Sequence, residues 1–285
     1  LIYLFDLKEN FINLIPFLTM GLLAIQRLLP NFNEIFSSIS TIKALDKNFI
    51  DTQNLLDLNI DNEIFDKNTS KINFVKNIRF ENVNFSYENN KPVLNTFNLN
   101  IKKNTIVGIS GGTGSGKSTI VNLMLGFYRP HSGNIFIDDK ILNDSNVSKW
   151  QENLSYVPQK VYLIDDTILS NITFEDKVEK INFDLLNNAI KLSELENFIS
   201  NQKEGINHII GEDAEKISGG QKQRIGIARA IYKNTNTLIL DESLNSLDNE
   251  TKEKILNKLR SLNKTIILIS HQKSDLKICD EILKI

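Results

Sequence analysis

The chain has 285 residues, 24% of them charged and 41% hydrophobic, with a formal net charge of -2. That length holds one ordinary domain plus a lead segment, and the near-balanced charge supplies no broad basic field for nucleic acid. The one cysteine, Cys279, excludes an intramolecular disulfide and fits a reducing compartment.

At the amino-terminal end, residues 11–25 are apolar except for Asn13 and Thr19. At about 1.5 Å per residue they cover roughly two thirds of a ~30 Å hydrocarbon core. Leu28, Phe32, Ile35, Ile39 and Ile42 then alternate four- and three-residue steps. This predicts a membrane helix that runs on into water with one apolar seam, bent at Pro16 and Pro30. The alternative is a buried helical hairpin of a soluble domain. Residues 1–7 read as the end of a preceding span, with Lys8, Glu9 and Asn10 as a polar turn facing outside. A start inside an apolar stretch, with neither an initiator Met nor a signal-peptide pattern, is read as the carboxyl-terminal part of a longer membrane protein. The Asn-rich stretch 48–70, which also holds Asp51, Asp57, Asp61 and Asp66, reads as a solvated connector.

An alternating stretch, Phe80, Val83, Phe85 and Tyr87, predicts a half-buried strand. The apolar strand of Ile106, Val107 and Ile109 follows, and then the run Gly111-Gly112-Thr113-Gly114-Ser115-Gly116-Lys117-Ser118-Thr119, leading into a helical pattern of Ile120, Val121, Leu123 and Met124. Strand, glycine-rich loop, lysine, hydroxyl and helix in that order form a phosphate-binding loop. Glycines let successive N–H groups turn inward, and the helix adds its positive end. Lys117 is placed to reach the β- and γ-phosphates and Ser118 to hold Mg²⁺, so the chain is expected to bind a nucleoside triphosphate.

Further along, Ile217-Ser218-Gly219-Gly220-Gln221 opens a helix with Ile225, Ala228 and Ile231 at helical spacing and Lys222, Gln223 and Arg224 on its polar side. Thr237-Leu238-Ile239-Leu240-Asp241-Glu242 reads as a buried parallel strand delivering two acids to its C-terminal edge. Asp241 is placed to hold the metal's water shell. Glu242 is placed to polarise an attacking water, because phosphoryl transfer needs an oriented nucleophile and charge neutralisation.

A Ser-Gly-Gly-Gln helix start shortly before an acid-bearing strand resembles the signature of the ATP-binding-cassette (ABC) family, with Ile217 where Leu is usual. The resemblance implies that Ser218, Gly219, Gly220 and Gln221 contact ATP held by a second cassette, in keeping with anion binding at a helix N-terminus. Tyr87 resembles the aromatic that stacks on adenine. Gln159, in Tyr156-Val157-Pro158-Gln159, resembles the glutamine that touches the metal site and senses the membrane domain. His271, after the strand residues Ile266 to Ser270, resembles the switch histidine on the γ-phosphate. Asn245-Ser246-Leu247-Asp248 resembles the loop coupling the two ATP sites, with Asn245 where Ser is usual.

The stretch from Val161 to Ile168, with Asn171-Ile172, resembles exporter-type cassettes. Gly211-Glu212 partly matches the exporter loop that contacts the membrane domain, with Ala214 where a glycine is usual. The last seven residues, from Cys279 to Ile285, resemble entry into the next strand of a cassette that is cut short.

The resemblance implies an α/β P-loop nucleotidase of ABC type: a parallel core sheet flanked by helices, an antiparallel β subdomain near 76–105 and a helical signature subdomain near 165–230, preceded by a transmembrane helix. The expected domains are 1–47, the end of a membrane domain; 48–75, a linker; and 76–285, a C-terminally truncated ATP-binding domain. The implied activity is MgATP hydrolysis, with catalysis by Glu242, His271 and Lys117 and metal ligation by Ser118, Gln159 and Asp241. The implied partners are a second cassette, most simply an identical chain, and a membrane domain in the inner membrane with the ATP site on the cytoplasmic side. Gly21-Leu22-Leu23-Ala24-Ile25-Gln26-Arg27-Leu28-Leu29-Pro30 resembles the last span of exporters that flip lipid-linked oligosaccharides. A soluble cassette ATPase would need a long coiled coil or two cassettes in one chain, and a non-hydrolysing partner would be expected to lack the catalytic acid.

Overall fold

A computed structural model describes residues 2–56, 72, 74–87, 91–175, 177–211 and 217–285, without the side chains of 2–15, 47 and 48. The chain divides into two compact units, Leu1–Asn62 and Glu63–Ile285.

The described residues of the first unit form one helix, α1 (Ile2–Leu56), with Pro16 and Pro30 inside it. The expected turn at Lys8, Glu9 and Asn10 is therefore corrected: the helix runs through, since Lys and Glu are good helix formers and no Gly or Pro stands there to end it. The helix also continues to Leu56, into the stretch read as a connector. The seam of Leu28, Phe32, Ile35, Ile39 and Ile42 is exposed. Among the described residues no helix is long and apolar enough to cross a membrane. The expected span at 11–25 begins among residues whose side chains lie outside those described, and the helix runs unbroken through it.

In the second unit β1 (Asn77–Phe85), β2 (Leu94–Lys102) and β3 (Ile106–Ser110) lead into α2 (Lys117–Met124). Next come β4 (Ser132–Ile137), β5 (Lys140–Ile141), α3 (Val147–Gln151), β6 (Leu154–Val157), α4 (Ile168–Thr173), α5 (Phe183–Leu192) and α6 (Glu196–Ser200). The chain ends with α7 (Gly219–Tyr232), β7 (Thr237–Asp241), α8 (Asn249–Arg260), β8 (Thr265–Ile269) and β9 (Glu281–Lys284).

Two sheets result. One is antiparallel, in the order β2-β1-β4-β5, so the expected subdomain draws its third and fourth strands from beyond the phosphate loop. In β1 the buried positions are Ile78 and Phe80, then Val83 and Phe85. A register shift between Phe80 and Val83, with Asn82 at φ 50°, restores the inward phase after an extra residue.

The other sheet is parallel, in the order β6-β7-β8-β3-β9. Every residue of β7 and β8 is buried, which is why both read as unbroken apolar runs. Their side chains alternate between two cores. Leu238, Leu240, Ile266 and Leu268 join the core that contains α7 and α8. Ile239, Ile267 and Ile269 join the core shared with α2, Trp150 and the antiparallel sheet. Trp150 is fully buried, and its Nε1 donates to the Met124 carbonyl at 2.8 Å, fastening α3 to the end of α2. The parallel sheet thus presents the ends of β3, β7 and β8 at one edge, where open α/β sheets bind ligands.

Candidate nucleotide site

The loop between β3 and α2 owes its curl to Gly114 at φ 78° and Gly116 at φ 100°, conformations that cost a side chain dearly. Gly116 is the N-cap of α2, and its carbonyl accepts the first helical bond, from Ile120 N at 3.0 Å. Lys117 is only 6% exposed; its ammonium donates to the carbonyls of Gly111 at 3.1 Å and Gly112 at 2.8 Å. Ser115 Oγ is buried with no hydrogen-bond partner, a polar atom held inside the loop that a ligand oxygen would satisfy. Ser118 is exposed at the first turn of α2, whereas Thr119 is buried and bonded to the Tyr87 hydroxyl at 3.0 Å. Tyr87 therefore stands beside the phosphate loop, with its ring set edge-on to Phe85 and Tyr128.

At the end of β7, Asp241 accepts a hydrogen bond from the Tyr156 hydroxyl at 3.2 Å. Burial pushes the Asp241 carboxyl above the usual carboxylate range; the Tyr156 bond pulls it back, Glu242 pushes it up again, and Lys117 pulls it down. Burial, reinforced by Asp241, also raises the Tyr156 phenol, which keeps it a donor. The carboxylate and hydroxyl oxygens of Asp241 and Ser118 suit a hard cation such as Mg²⁺. Among the described residues no group of three or more His, Cys, Asp or Glu could hold a metal by itself.

Glu242 has φ 48°, a left-handed conformation rare for a side chain of its size. The turn is held by Glu242 N, which donates to the Ile269 carbonyl at 3.1 Å. Three donors then converge on its carboxylate. Gln159 Nε2 lies 3.0 Å from Oε2, Asn245 Nδ2 lies 3.4 Å from Oε2, and His271 Nε2 lies 2.6 Å from Oε1. The residues expected from separate segments, Lys117, Gln159, Asp241, Glu242 and His271, thus come together. The Gln159 amide group is turned to Glu242.

The signature residues form a second grouping. Ser218 caps α7 by accepting from Gln221 N at 3.2 Å, while Gln221 Oε1 accepts from Ser218 N at 2.8 Å, a reciprocal capping box. The N–H groups of Gly219 and Gly220 fall among the first of the helix, which have no intrahelical acceptor. Ser218, Gly219, Gly220, Gln221, Arg224, Ser246, Leu247 and Asp248 line a cleft of about 420 Å³. Asp248 in turn caps α8 by accepting from Thr251 N at 2.9 Å. Glu212 and Ala214 lie outside the described residues; Gly211 has φ 81°.

One expectation for α7 is corrected. Gln223, placed by pattern on the polar side, is 4% exposed. Its Nε2 donates to the Gln159 carbonyl at 3.1 Å and its Oε1 accepts from Ser246 N at 3.3 Å, so it ties the signature helix to two loops at once. On the same face, a Cβ at Gly220 would lie 2.9 Å from the Ser246 carbonyl and one at Gly226 2.6 Å from Val161. Both glycines permit close approach of the helix. Sequence reading missed Gln223 and Tyr156 because their partners come from distant segments; a glutamine three residues from each of two glycines on one helix face is the signal that was available.

The ABC transporter family profile matches residues 94–245. An export ATP-binding/permease protein of Rickettsia typhi is 39% identical over 212 residues, covering 73% of this chain and 36% of that protein. An ATP-dependent lipid A-core flippase of Blochmanniella floridana is 40% identical over 225 residues, covering 76% of this chain and 38% of that protein. A solved structure, a bacterial Atm1-family ABC exporter with ATP bound, superposes with a TM-score of 0.72 at 32% identity, covering 77% of this chain and 38% of its own. A phosphate loop, an acid-bearing strand end and a capped signature helix on this two-sheet scaffold define a P-loop nucleotide-binding cassette. The chain belongs to the ABC transporter family, and it spans less than two fifths of the length of these relatives.

Proposed function

We propose that the chain hydrolyses MgATP as one of two cassettes closing head to tail, and that the cycle powers export or flipping of a lipid-borne substrate across a membrane. The observation that carries the reading is the convergence of Gln159, Asn245 and His271 on Glu242, an acid held in a strained turn at the edge next to the phosphate loop.

In this mechanism the amides of Gly111 to Thr119 and the Lys117 ammonium hold the phosphates, and Tyr87 packs beside the base. Ser118 and Asp241 would be the oxygen donors for Mg²⁺, with Gln159 as the additional ligand the resemblance implies, and a bound ion would supply positive charge against that of the phosphates. Glu242 orients a water and accepts its proton, while His271, which holds the carboxylate through Nε2, is the residue that the resemblance places on the γ-phosphate once nucleotide is bound. Ser218, Gly219, Gly220 and Gln221 of a second, identical chain face the same phosphate, with the Ser218 hydroxyl and the helix-terminal amides of Gly219 and Gly220 as donors, Gln221 holding the cap and Asp248 at the adjoining loop.

A groove of about 780 Å³, lined in part by Leu125, Phe127, Tyr156, Phe174, Leu185 and Tyr232, supports docking against a membrane portion. Phe127 and Phe174 are 61% and 56% exposed there and offer apolar contact area. The relatives' names join ATP binding to a permease and to lipid A-core flipping, which favours a membrane location and a lipid carrying a saccharide as cargo. In this reading residues 1–47 end the membrane portion, 48–75 connect, and 76–285 form the cassette on the cytoplasmic side of the inner membrane.

The test is the rate of phosphate release by the chain as a function of protein concentration, with Glu242→Gln as control. A specific rate that climbs with concentration and is lost in the control supports paired-site hydrolysis. A rate equal to the control's, in folded protein that binds ATP, overturns it.

A further inference from the structure

Behind the His271 loop lies a pair of charges that the proposed hydrolysis does not use. Lys252, on α8, is 4% exposed, and Asp275, in the 3-10 turn Asp275–Ile278, is 1% exposed. Lys252 Nζ stands 3.4 Å from Asp275 Oδ1. The hydrogen bonds around them belong to the segment that carries His271. Ser270 Oγ donates to Asp275 Oδ2 at 2.7 Å, and Ser274 Oγ donates to Asp275 Oδ1 at 3.1 Å. Gln272 Oε1 accepts from Lys252 Nζ at 2.8 Å, while Gln272 N donates to Ser270 Oγ at 3.0 Å. Both sequence neighbours of His271 are therefore fastened to the buried pair, and the imidazole reaches out to Glu242.

The other end of the connection is the signature cleft. Lys252 sits one turn along α8 from Asp248, and Lys252 N donates to the Asp248 carbonyl at 3.0 Å. Asp248 lines the cleft with Ser218 and Gly220. Two charges withdrawn this far from water lose much of their mutual attraction to desolvation, and an apolar pair of similar shape would hold the core at least as well. An apolar pair could not fix the loop through directed bonds to Ser270 and Gln272. We propose that Lys252 and Asp275 are positioning residues for His271, rigidly joining the helix that begins at the signature cleft to the loop whose histidine grips Glu242. The proposal rests on the hydrolytic reading, in which His271 acts.

The experiment compares the full chain with Lys252→Met/Asp275→Leu, each with and without His271→Ala, by ATP turnover and by carbethoxylation of histidine with diethyl pyrocarbonate, located by mass spectrometry. The double variant should remain folded by circular dichroism, lose about tenfold in kcat and keep KM for ATP within about twofold. That loss should vanish once His271 is alanine, because both changes then act through the same absent group. Carbethoxylation of His271 should quicken several-fold while that of His208 stays constant. A kcat loss that multiplies unchanged in the His271→Ala background, or a His271 modification rate equal to the unsubstituted chain's, overturns the proposal. If the unsubstituted chain shows no turnover, the hydrolytic reading fails on its own and the modification rate still decides the positioning. Should the double variant lose its fold, Asp275→Asn, which keeps the shape and withdraws the charge, is read in the same way.

Discussion

His271 Nε2 stands 2.6 Å from Glu242 Oε1, joining the second residue after β8 to the residue after β7 across the edge of the parallel sheet. β7 and β8 are neighbours in register, with Asp241 opposite Ile269, so the backbone alone brings both side chains to one edge. A carboxylate held there by donors is oriented before any substrate arrives, which is the form electrostatic preorganisation takes.

Glu242→Gln should therefore lower ATP turnover by a factor on the order of 10² to 10⁴, the usual worth of a positioned base. Nucleotide affinity should stay within a few-fold, since the phosphates are held by the loop amides and Lys117. Phosphate release and equilibrium binding of a labelled nucleotide, measured on the same preparation, check the two halves separately. Equal turnover in the variant and the unsubstituted chain would remove Glu242 from the chemistry.

Gln223→Leu keeps the size of the side chain and deletes both of its bonds, to the Gln159 carbonyl and from Ser246 N. Leaving those groups unpaired in a buried setting should cost about 1–3 kcal/mol of stability. Turnover should fall as well, because Gln159 carries a donor to Glu242 and Ser246 lines the signature cleft. Urea denaturation followed by circular dichroism gives the first quantity and phosphate release at saturating ATP the second. A variant that is destabilised but turns over normally would confine Gln223 to packing.

How much of this was legible in the chain depends on the range of the contact. Thr237 to Asp241 read as a buried strand because a parallel strand covered on both faces shows an unbroken apolar run. The loop at Gly114 and Gly116 read as a phosphate cradle because left-handed residues next to a lysine and a helix start are local chemistry. α1 runs on through Lys8 to Asn10, where polarity suggests a turn, because Lys8 and Glu9 are good helix formers and no Gly or Pro breaks the run. The pairing of β4 with β1, the burial of Gln223 and the Lys252–Asp275 pair depend on partners roughly twenty to sixty residues away, and periodicity carries no register information across such gaps.

Gly226→Ala tests the close approach of α7 to Val161. The new Cβ would lie 2.6 Å from a methyl of a stiff, β-branched side chain. Overpacking of this kind costs about 1–3 kcal/mol, against about 1 kcal/mol returned by replacing Gly within a helix. The net expectation is a loss of about 1 kcal/mol and a Tm lower by about 2–4 °C. Val161→Ala in the same chain should recover the loss by removing the obstructing methyls, and failure of that rescue would locate the strain elsewhere.

The thiol of Cys279 gives a prediction in pH. Burial, with the negative charges of Asp280 and Asp275 behind it, pushes the thiol up to about 11 from an ordinary value of 9.0. The reactive species is the thiolate, so alkylation of the folded chain by iodoacetamide should be slow at pH 8 and should rise toward pH 11, whereas the unfolded chain reacts readily near pH 9. The same shift acts on stability. Between about pH 9 and 11 the unfolded chain has given up this proton and the folded chain has kept it, so the stabilisation present below pH 9 is lost as pH rises through that window. The measurement is the rate of mass increase at Cys279 against pH in native buffer and in urea. An alkylation rate in native buffer that already levels off near pH 9 would show the thiol exposed, and with it an open approach between Cys279 and Gly108, where a Cβ would lie 2.9 Å from the sulfur.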